Sequence, residues 1–286
     1  MKHPPTLAPL AAPRGGGSAG RDGPSRLMIP ETIAPDLAGK SVLVTGASTG
    51  IGAATARAFA HAGCRVAIHY NASLNRAEEV AADVRFAGAE AFLVGGDLRT
   101  SAKAREVVDA AAAHFGGIDI LINNAGGLVQ RVSIAEIDDA FFDAVIDLNV
   151  RSLVACCSAA VPHMRRAGRG NIVNVTSIAA RSGGGGGAVM YASAKGFVST
   201  FTHGLAKEVV RDNIRVNAVS PGVIETPFHD RYSTPAMLES FKAAIPMNRL
   251  GTADECAGAF LYLASDVLSG FVTGQILEVN GGQMMP

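Results

Sequence analysis

Tyr191 and Lys195 stand four residues apart in a stretch with a helical apolar pattern, so one turn of helix puts a phenol and an ammonium on the same face. Such a pair can move a proton. Free tyrosine ionises near pH ~10 and is a poor base at neutrality. A neighbouring cation favours the phenolate, and lowering the pKa by about 3 units takes roughly 4 kcal/mol of differential stabilisation, within reach of a partly desolvated site. Alone, the two residues read as a half-buried helix tyrosine and a surface charge. A third candidate, Ser177, closes an apolar run just after Thr176. Adjacent strand residues point to opposite faces, so only one of these two hydroxyls can join a common site.

The elements that must position these groups follow from hydrophobic periodicity. Apolar runs predict strands at 41–45, 65–69, 90–94, 118–122, 171–175, 214–219 and 276–279. Helical patterns fill most of the gaps, at 50–62, 73–87, 100–115, 138–167, 189–211 and 252–264. Continuously apolar strands alternating with helices imply a mostly parallel sheet covered on both faces: an α/β, doubly wound, Rossmann-like single domain with seven strands. Ser177 then lies at a strand's carboxyl end, where open α/β sheets place ligands. The first strand runs into Thr45-Gly46-Ala47-Ser48-Thr49-Gly50-Ile51-Gly52, and a helix follows at once. Glycine permits a sharp turn and close backbone approach, and the new helix presents unpaired N–H groups and a positive dipole end. That combination binds a pyrophosphate.

Composition narrows the function classes. Lys plus Arg and Asp plus Glu number 25 each, so bulk charge gives no reason to expect nucleic acid or an anionic membrane as partner. The basic cluster Arg165, Arg166 and Arg169 reads as a solvated helix end. No apolar run approaches the ~18 residues of a membrane span. Cys64, Cys156, Cys157 and Cys256 fit neither a zinc site nor a disulfide framework; buried thiols, no metal and a reducing cytoplasm are expected. Residues 1–38 hold seven prolines and a Gly15-Gly16-Gly17 run, which predicts a disordered tail ahead of a domain over 39–286.

The glycine spacing G-x-x-x-G-x-G with its preceding threonine resembles the short-chain dehydrogenase/reductase family. Asn123-Asn124-Ala125-Gly126 closes the fourth strand like the family's N-N-A-G, and Tyr191 and Lys195 form its Y-x-x-x-K. The resemblance runs in order over about 37–286. It implies a catalytic tetrad of Asn149, Ser177, Tyr191 and Lys195. In it Tyr191 is the general acid/base, Ser177 holds the substrate oxygen, Lys195 also bonds the nicotinamide ribose, and Asn149 holds a water beside Lys195. It further implies cofactor contacts at Gly46, Ser48, Thr49, Gly50, Ile51, Gly52, Asp97 (to adenine), Leu98, Asn124, Ala125, Gly126, Pro221, Gly222, Val223 and Thr226. Ser177 is preferred to Thr176 by the family pattern.

The second strand ends His69-Tyr70-Asn71-Ala72-Ser73, without the carboxylate that would bond a ribose 2′-OH and repel a 2′-phosphate. Tyr70, Asn71 and Ser73 are therefore candidate contacts for that end, and NADP is favoured over NAD. Residues 223–247 are expected as a lid, with Gly127, Leu128 and Gln130 on the opposite wall. His229 is not expected to be catalytic. The glycines at 183–187 either let the backbone pass close to a ligand or form a loose surface loop. The resemblance implies a small carbonyl or secondary-alcohol substrate: a 3-oxoacyl thioester, a sugar or polyol, or another ketone. It also implies a homotetramer through the two long helices, with Ala155, Ala159 and Ala160 allowing close packing. The competing reading is a non-catalytic NADP(H)-sensing regulator; it is opposed by the presence of all four tetrad residues.

Overall fold

The computed structural model describes residues 34–285. The order is β1 (Ser41–Val44), α1 (Gly50–His61), β2 (Arg65–Tyr70), α2 (Leu74–Phe86), β3 (Ala91–Gly95), α3 (Ser101–Phe115) and β4 (Ile120–Asn123). Then come α4 (Asp139–Ile146), α5 (Ser152–Ala167), β5 (Gly170–Val175), α6 (Ala179–Ser182), α7 (Val189–Val209) and β6 (Ile214–Pro221). The last third adds β7 (Ile224–Glu225), α8 (Pro227–Tyr232), α9 (Pro235–Ala244), β8 (Gly251–Thr252), α10 (Ala253–Ala264), α11 (Asp266–Ser269) and β9 (Ile276–Val279). The seven expected strands all form one parallel sheet in the order β3-β2-β1-β4-β5-β6-β9. The chain reverses direction across the sheet between β1 and β4, which opens a crevice at their carboxyl ends.

Alternation along the central strands builds two cores. Val42, Val44, Ile120 and Ile122 face α1, α2 and α10, while Leu43 and Leu121 face α3, α5 and α7. This two-sided burial explains why the strands read as unbroken apolar runs. Ahead of β1, Pro35–Leu37 forms a 3₁₀ turn that buries Leu37 against the first core. The expectation for residues 1–33 lies outside the described residues.

The helix expected at 138–167 is α4 and α5 joined through a π-helical turn, Asp147–Arg151, in which the Ser152 N–H reaches the Asp147 carbonyl. By length and apolar composition it could cross a membrane, contrary to the expectation that no segment would. Leu153, Ala155, Cys156, Cys157, Ala160 and Met164 instead pack into the second core. That also corrects the expected role of Ala155 and Ala160: they face the core of their own chain and are not open for helix pairing. Phe142 on α4 and Val189 and Phe197 on α7 are large exposed apolar residues. All four cysteines are buried free thiols. Arg165 pairs with Asp212, Arg169 with Asp119, and Arg166 bonds His163, so the basic cluster is engaged locally.

Segment 223–247 was expected only as a lid; it folds as β7, α8 and α9. Each helix has a threonine before a proline (Thr226-Pro227 and Thr234-Pro235), and proline suits a first helical position because its missing N–H would be unpaired there anyway. β7 pairs with β8, which ties the lid's root to the start of α10.

Candidate active site

The site is built at the carboxyl ends of β1, β4, β5 and β6. Lys195 is buried in α7, and its Nζ donates to the Val175 carbonyl at the end of β5, 2.8 Å away. Burial pushes its pKa down to about 8. Nζ also lies 5.8 Å from the centroid of the Tyr191 ring, one turn earlier. Burial raises the Tyr191 phenol above its ordinary value, and a hydrogen bond with Ser177 acts in the opposite direction. Ser177 Oγ accepts from the Ala179 N–H at 3.1 Å, which leaves its own proton for the Tyr191 oxygen or a ligand. Thr176 Oγ1 instead donates to the Lys195 carbonyl at 2.8 Å and meets Ser199 Oγ. Of the two adjacent hydroxyls, Ser177 is thus the one brought to the phenol.

Asn149 lies in the π-helical turn with its side chain fully engaged. Oδ1 accepts from the Gly127 N–H (3.0 Å), and Nδ2 donates to the carbonyls of Gly127 (2.9 Å) and Val145 (3.0 Å). A Cβ on Gly126 would stand 2.9 Å from Asn149 Oδ1 and 3.0 Å from Lys195 Nζ. Glycine at 126 therefore keeps a passage open between these two residues.

The glycine turn is fastened from beneath. Thr45 Oγ1 donates to the Ile122 carbonyl and accepts from the N–H groups of Asn124 and Ala125. Asn124 Nδ2 donates to the carbonyls of Thr45 (2.9 Å) and Gly46 (3.1 Å). Gly46 and Gly50 have positive φ, and a Cβ at Gly52 would collide with the Gly46 carbonyl and the Asn124 amide. This cradle and the N-terminus of α1 suit a dinucleotide pyrophosphate. His69 was missed. It is buried, its Nδ1 accepts from the Gly46 N–H at 3.0 Å, and its Nε2 therefore donates to the Gly96 carbonyl at 2.8 Å. Burial lowers its pKa, which matches the neutral ring these bonds require. Its only sequence signal was a histidine near the end of the second strand.

A cavity of about 430 Å³ brings together Gly46, Thr49, Gly50, Ile51, Asn124, Gly126, Ser177, Tyr191, Lys195, Pro221, Gly222, Val223 and Thr226. Ser48, Gly52 and Ala125 belong to the turns around it, and Asn149 lies behind Gly126, outside its lining. The other five expected contacts lie towards β2 and β3, also outside the lining. Tyr70 lays its ring over Gly95, and Asn71 and Ser73 are exposed. The Asp97 carboxylate is held by the Arg99 guanidinium and backbone N–H, which keeps it below the usual carboxylate range. The Leu98 side chain is buried in the second core, which leaves its backbone to face a ligand. On the opposite wall Leu128 lines the cavity, but Gly127 and Gln130 do not; Arg131 does. Gly184 and Gly185 line it too, so the glycine run passes close to the ligand space. From the lid, Ile224, Pro227, Phe228, His229 and Phe241 also line it, with Phe228 5.9 Å from the Tyr191 ring; Tyr232 and Met237 lie outside the lining.

A doubly wound parallel sheet, a glycine cradle at its reversal point and a Ser-Tyr-Lys set in the same crevice define a nicotinamide-dependent oxidoreductase. Known proteins agree. The family described as enoyl-(acyl carrier protein) reductase matches residues 46–284. The chain is 38% identical over 244 residues to the uncharacterized oxidoreductase YgfF of Escherichia coli, covering 84% of this chain and 98% of that one. It is 35% identical over 253 residues to a 3-oxoacyl-[acyl-carrier-protein] reductase of Synechocystis, covering 87% and 98%. Among solved structures it superposes with TM-score 0.81 on an NADH-dependent reductase responsible for alginate metabolism, 39% identical, covering 88% and 99%. A Burkholderia cenocepacia short-chain dehydrogenase in complex with NADP, 33% identical, also gives TM-score 0.81, covering 86% and 98%. The chain belongs to the short-chain dehydrogenase/reductase family and is an oxidoreductase acting on CH–OH groups and the corresponding carbonyls.

Proposed function

We propose that the protein interconverts a ketone and a secondary alcohol with NADP(H), Tyr191 giving or taking the proton at the substrate oxygen. One observation carries this reading: Ser177, Tyr191 and Lys195 line the same cavity as the glycine cradle. When bound, the dinucleotide supplies or accepts the hydride. Ser177 donates a hydrogen bond to the substrate oxygen and holds it against the Tyr191 phenol. Lys195, charged below its depressed pKa of about 8, favours the phenolate and reaches towards the ribose of the cofactor. Asn149 is a positioning residue: its side chain is committed to Gly127 and Val145 and fixes the π-helical turn behind Gly126 and Lys195. A domain over 39–286 carries this site, closed by a lid over 223–247.

NADP is preferred because no carboxylate closes the second strand, where Tyr70, Asn71 and Ser73 stand ready for a 2′-phosphate, with Asp97 and Leu98 on the adenine side. Relatives described with NADH and with NADP both exist. A 3-oxoacyl thioester, as for the Synechocystis relative, a sugar-derived ketone, as the alginate-related structure suggests, and another small ketone fit the class. Exposed Phe142 and Phe197 support a homotetramer built on α4, α5 and α7, and four buried free thiols support a reducing, cytoplasmic location. The test is cofactor oxidation at ~340 nm against ketones, sugars and acetoacetyl thioesters, with NADPH and NADH compared. Ketone-dependent oxidation with the lower KM for NADPH is expected. Absence of turnover with every carbonyl would remove the enzymatic assignment, and a lower KM for NADH would reverse the cofactor preference.

A further inference from the structure

Arg131 enters the catalytic cavity from the wall opposite the glycine cradle, between the glycine run at 183–187 and the lid. Its Nε donates to the Tyr232 carbonyl at the end of α8 (3.0 Å), and one terminal nitrogen donates to the Gly186 carbonyl (2.8 Å). A guanidinium has five N–H donors, so three remain. Both partners are neutral carbonyls, and among the described residues no Asp or Glu lines the cavity; its other cation is Lys195, already engaged with Val175. Asp230, a lid carboxylate next to His229 in sequence, is exposed. Burial, and after it the Arg131 charge, lower the His229 pKa, and Asp230 opposes them.

The backbone is built to present this side chain. Val129 has φ +65°, and the Gln130 N–H bonds back to the Leu128 carbonyl at 2.8 Å. A β-branched residue in that region is strained, and such strain persists where the surroundings enforce it, commonly at ligand clamps. The kink leaves Gln130 exposed and brings Arg131 to the cavity. The next residue is then pinned: the Val132 N–H donates to the Gly187 carbonyl at 3.0 Å. Gly187 has φ +71°, and a Cβ there would press on Arg131 Cβ at 3.0 Å. The glycine run therefore makes room for the arginine.

We infer that Arg131 receives an oxyanion on the substrate, and that the ketone acted on is an oxo acid whose carboxylate pairs with this guanidinium while its carbonyl meets Ser177 and Tyr191. The inference rests on the proposed carbonyl reduction. A single guanidinium matches the single charge of a carboxylate, and its planar donors match carboxylate geometry. A phosphorylated ketone offers the same contact chemistry with more charge and is the alternative source to be distinguished.

The test uses the full chain with NADPH and ketones in matched pairs: pyruvate, acetoacetate and levulinate against their carboxamides, and dihydroxyacetone phosphate against dihydroxyacetone. At least one acid is expected to exceed its amide in kcat/KM by about 10- to 100-fold, the range of a charged hydrogen-bonded pair. In Arg131→Met that ratio collapses towards one through KM, and Arg131→Lys keeps an intermediate ratio. Calorimetric titration of acetoacetate into the NADP-loaded protein gives a readout independent of turnover, with binding expected for the wild type and lost in Arg131→Met. Amides matching acids in the wild type would overturn the inference and leave the carbonyl reduction standing. A preference confined to the phosphorylated ketone would overturn the carboxylate assignment. Acid binding without turnover of any ketone would overturn the carbonyl reduction instead.

Discussion

Lys195 combines burial with charge, and the two conflict. Burial takes its pKa from an ordinary 10.5 to about 8. Between those values the unfolded chain holds a proton that the folded one lacks, so stability rises with pH across the window, and below pH 8 the full penalty applies. The shift corresponds to about 3 kcal/mol, against which the bond to Val175 returns about 1.5 kcal/mol. Lys195→Met should therefore unfold in urea at a higher midpoint at pH 7, by about 1–2 kcal/mol, while losing turnover. A lowered midpoint would mean that the ammonium stabilises the fold. His69 makes the same demand on pH in a lower window. Its folded pKa lies below the ordinary 6.5, so the stability it contributes as a neutral ring is present above that value and lost as pH falls below it. Protonation would set an N–H against the Gly46 N–H. His69→Leu should weaken NADPH binding by about 10-fold in a fluorescence titration, with kcat little changed and a flatter stability profile below pH 6.5. Equal cofactor affinity in the variant would confine His69 to the core.

At the scale of elements, the turn between β1 and α1 works because three atoms leave no room: the Gly46 carbonyl, the Asn124 amide and Cα of Ala47 crowd the place where a side chain at Gly52 would begin. Gly52→Ala must displace Asn124 or open the turn. NADPH affinity should fall about 100-fold with the far-ultraviolet circular dichroism retained. Wild-type affinity in that variant would show that the cradle is not where the pyrophosphate binds. The strands could be placed within two residues because burial on both faces leaves an apolar signature. The π-helical turn at Asp147–Arg151 leaves none, since one widened turn does not disturb the apolar stripe of a 29-residue helix. Helices α8 and α9 did carry signals in Thr226-Pro227 and Thr234-Pro235, but they are short, 6 and 10 residues, and bury no residue in the core.

At the scale of the whole molecule, the sheet places groups distant in sequence at one crevice. Tyr191, Lys195 and Ser177 could be named beforehand because their motifs are local or end a strand. His69 and Arg131 could not, because their roles depend on partners at Gly46 and Gly96, or at Gly186 and Tyr232, that only the fold brings near. Burial of Ala155 and Ala160 within their own chain was equally hidden, since a helix stripe of alanines does not say which neighbour it meets. Two faces of one sheet thus divide the labour: α1, α2 and α10 pack on the face beneath the cradle, while α7, on the other face, carries Tyr191 and Lys195.

The central claim is that Tyr191 exchanges the proton with the substrate oxygen in a site that otherwise holds its cofactor without it. Tyr191→Phe removes one oxygen and keeps the ring against Phe228. Steady-state reduction of the best ketone from the screen, paired with NADPH titration of the same variant, tests it most directly. The account predicts a kcat lower by about 10²- to 10⁴-fold with cofactor affinity unchanged. Near-normal turnover by Tyr191→Phe would contradict it.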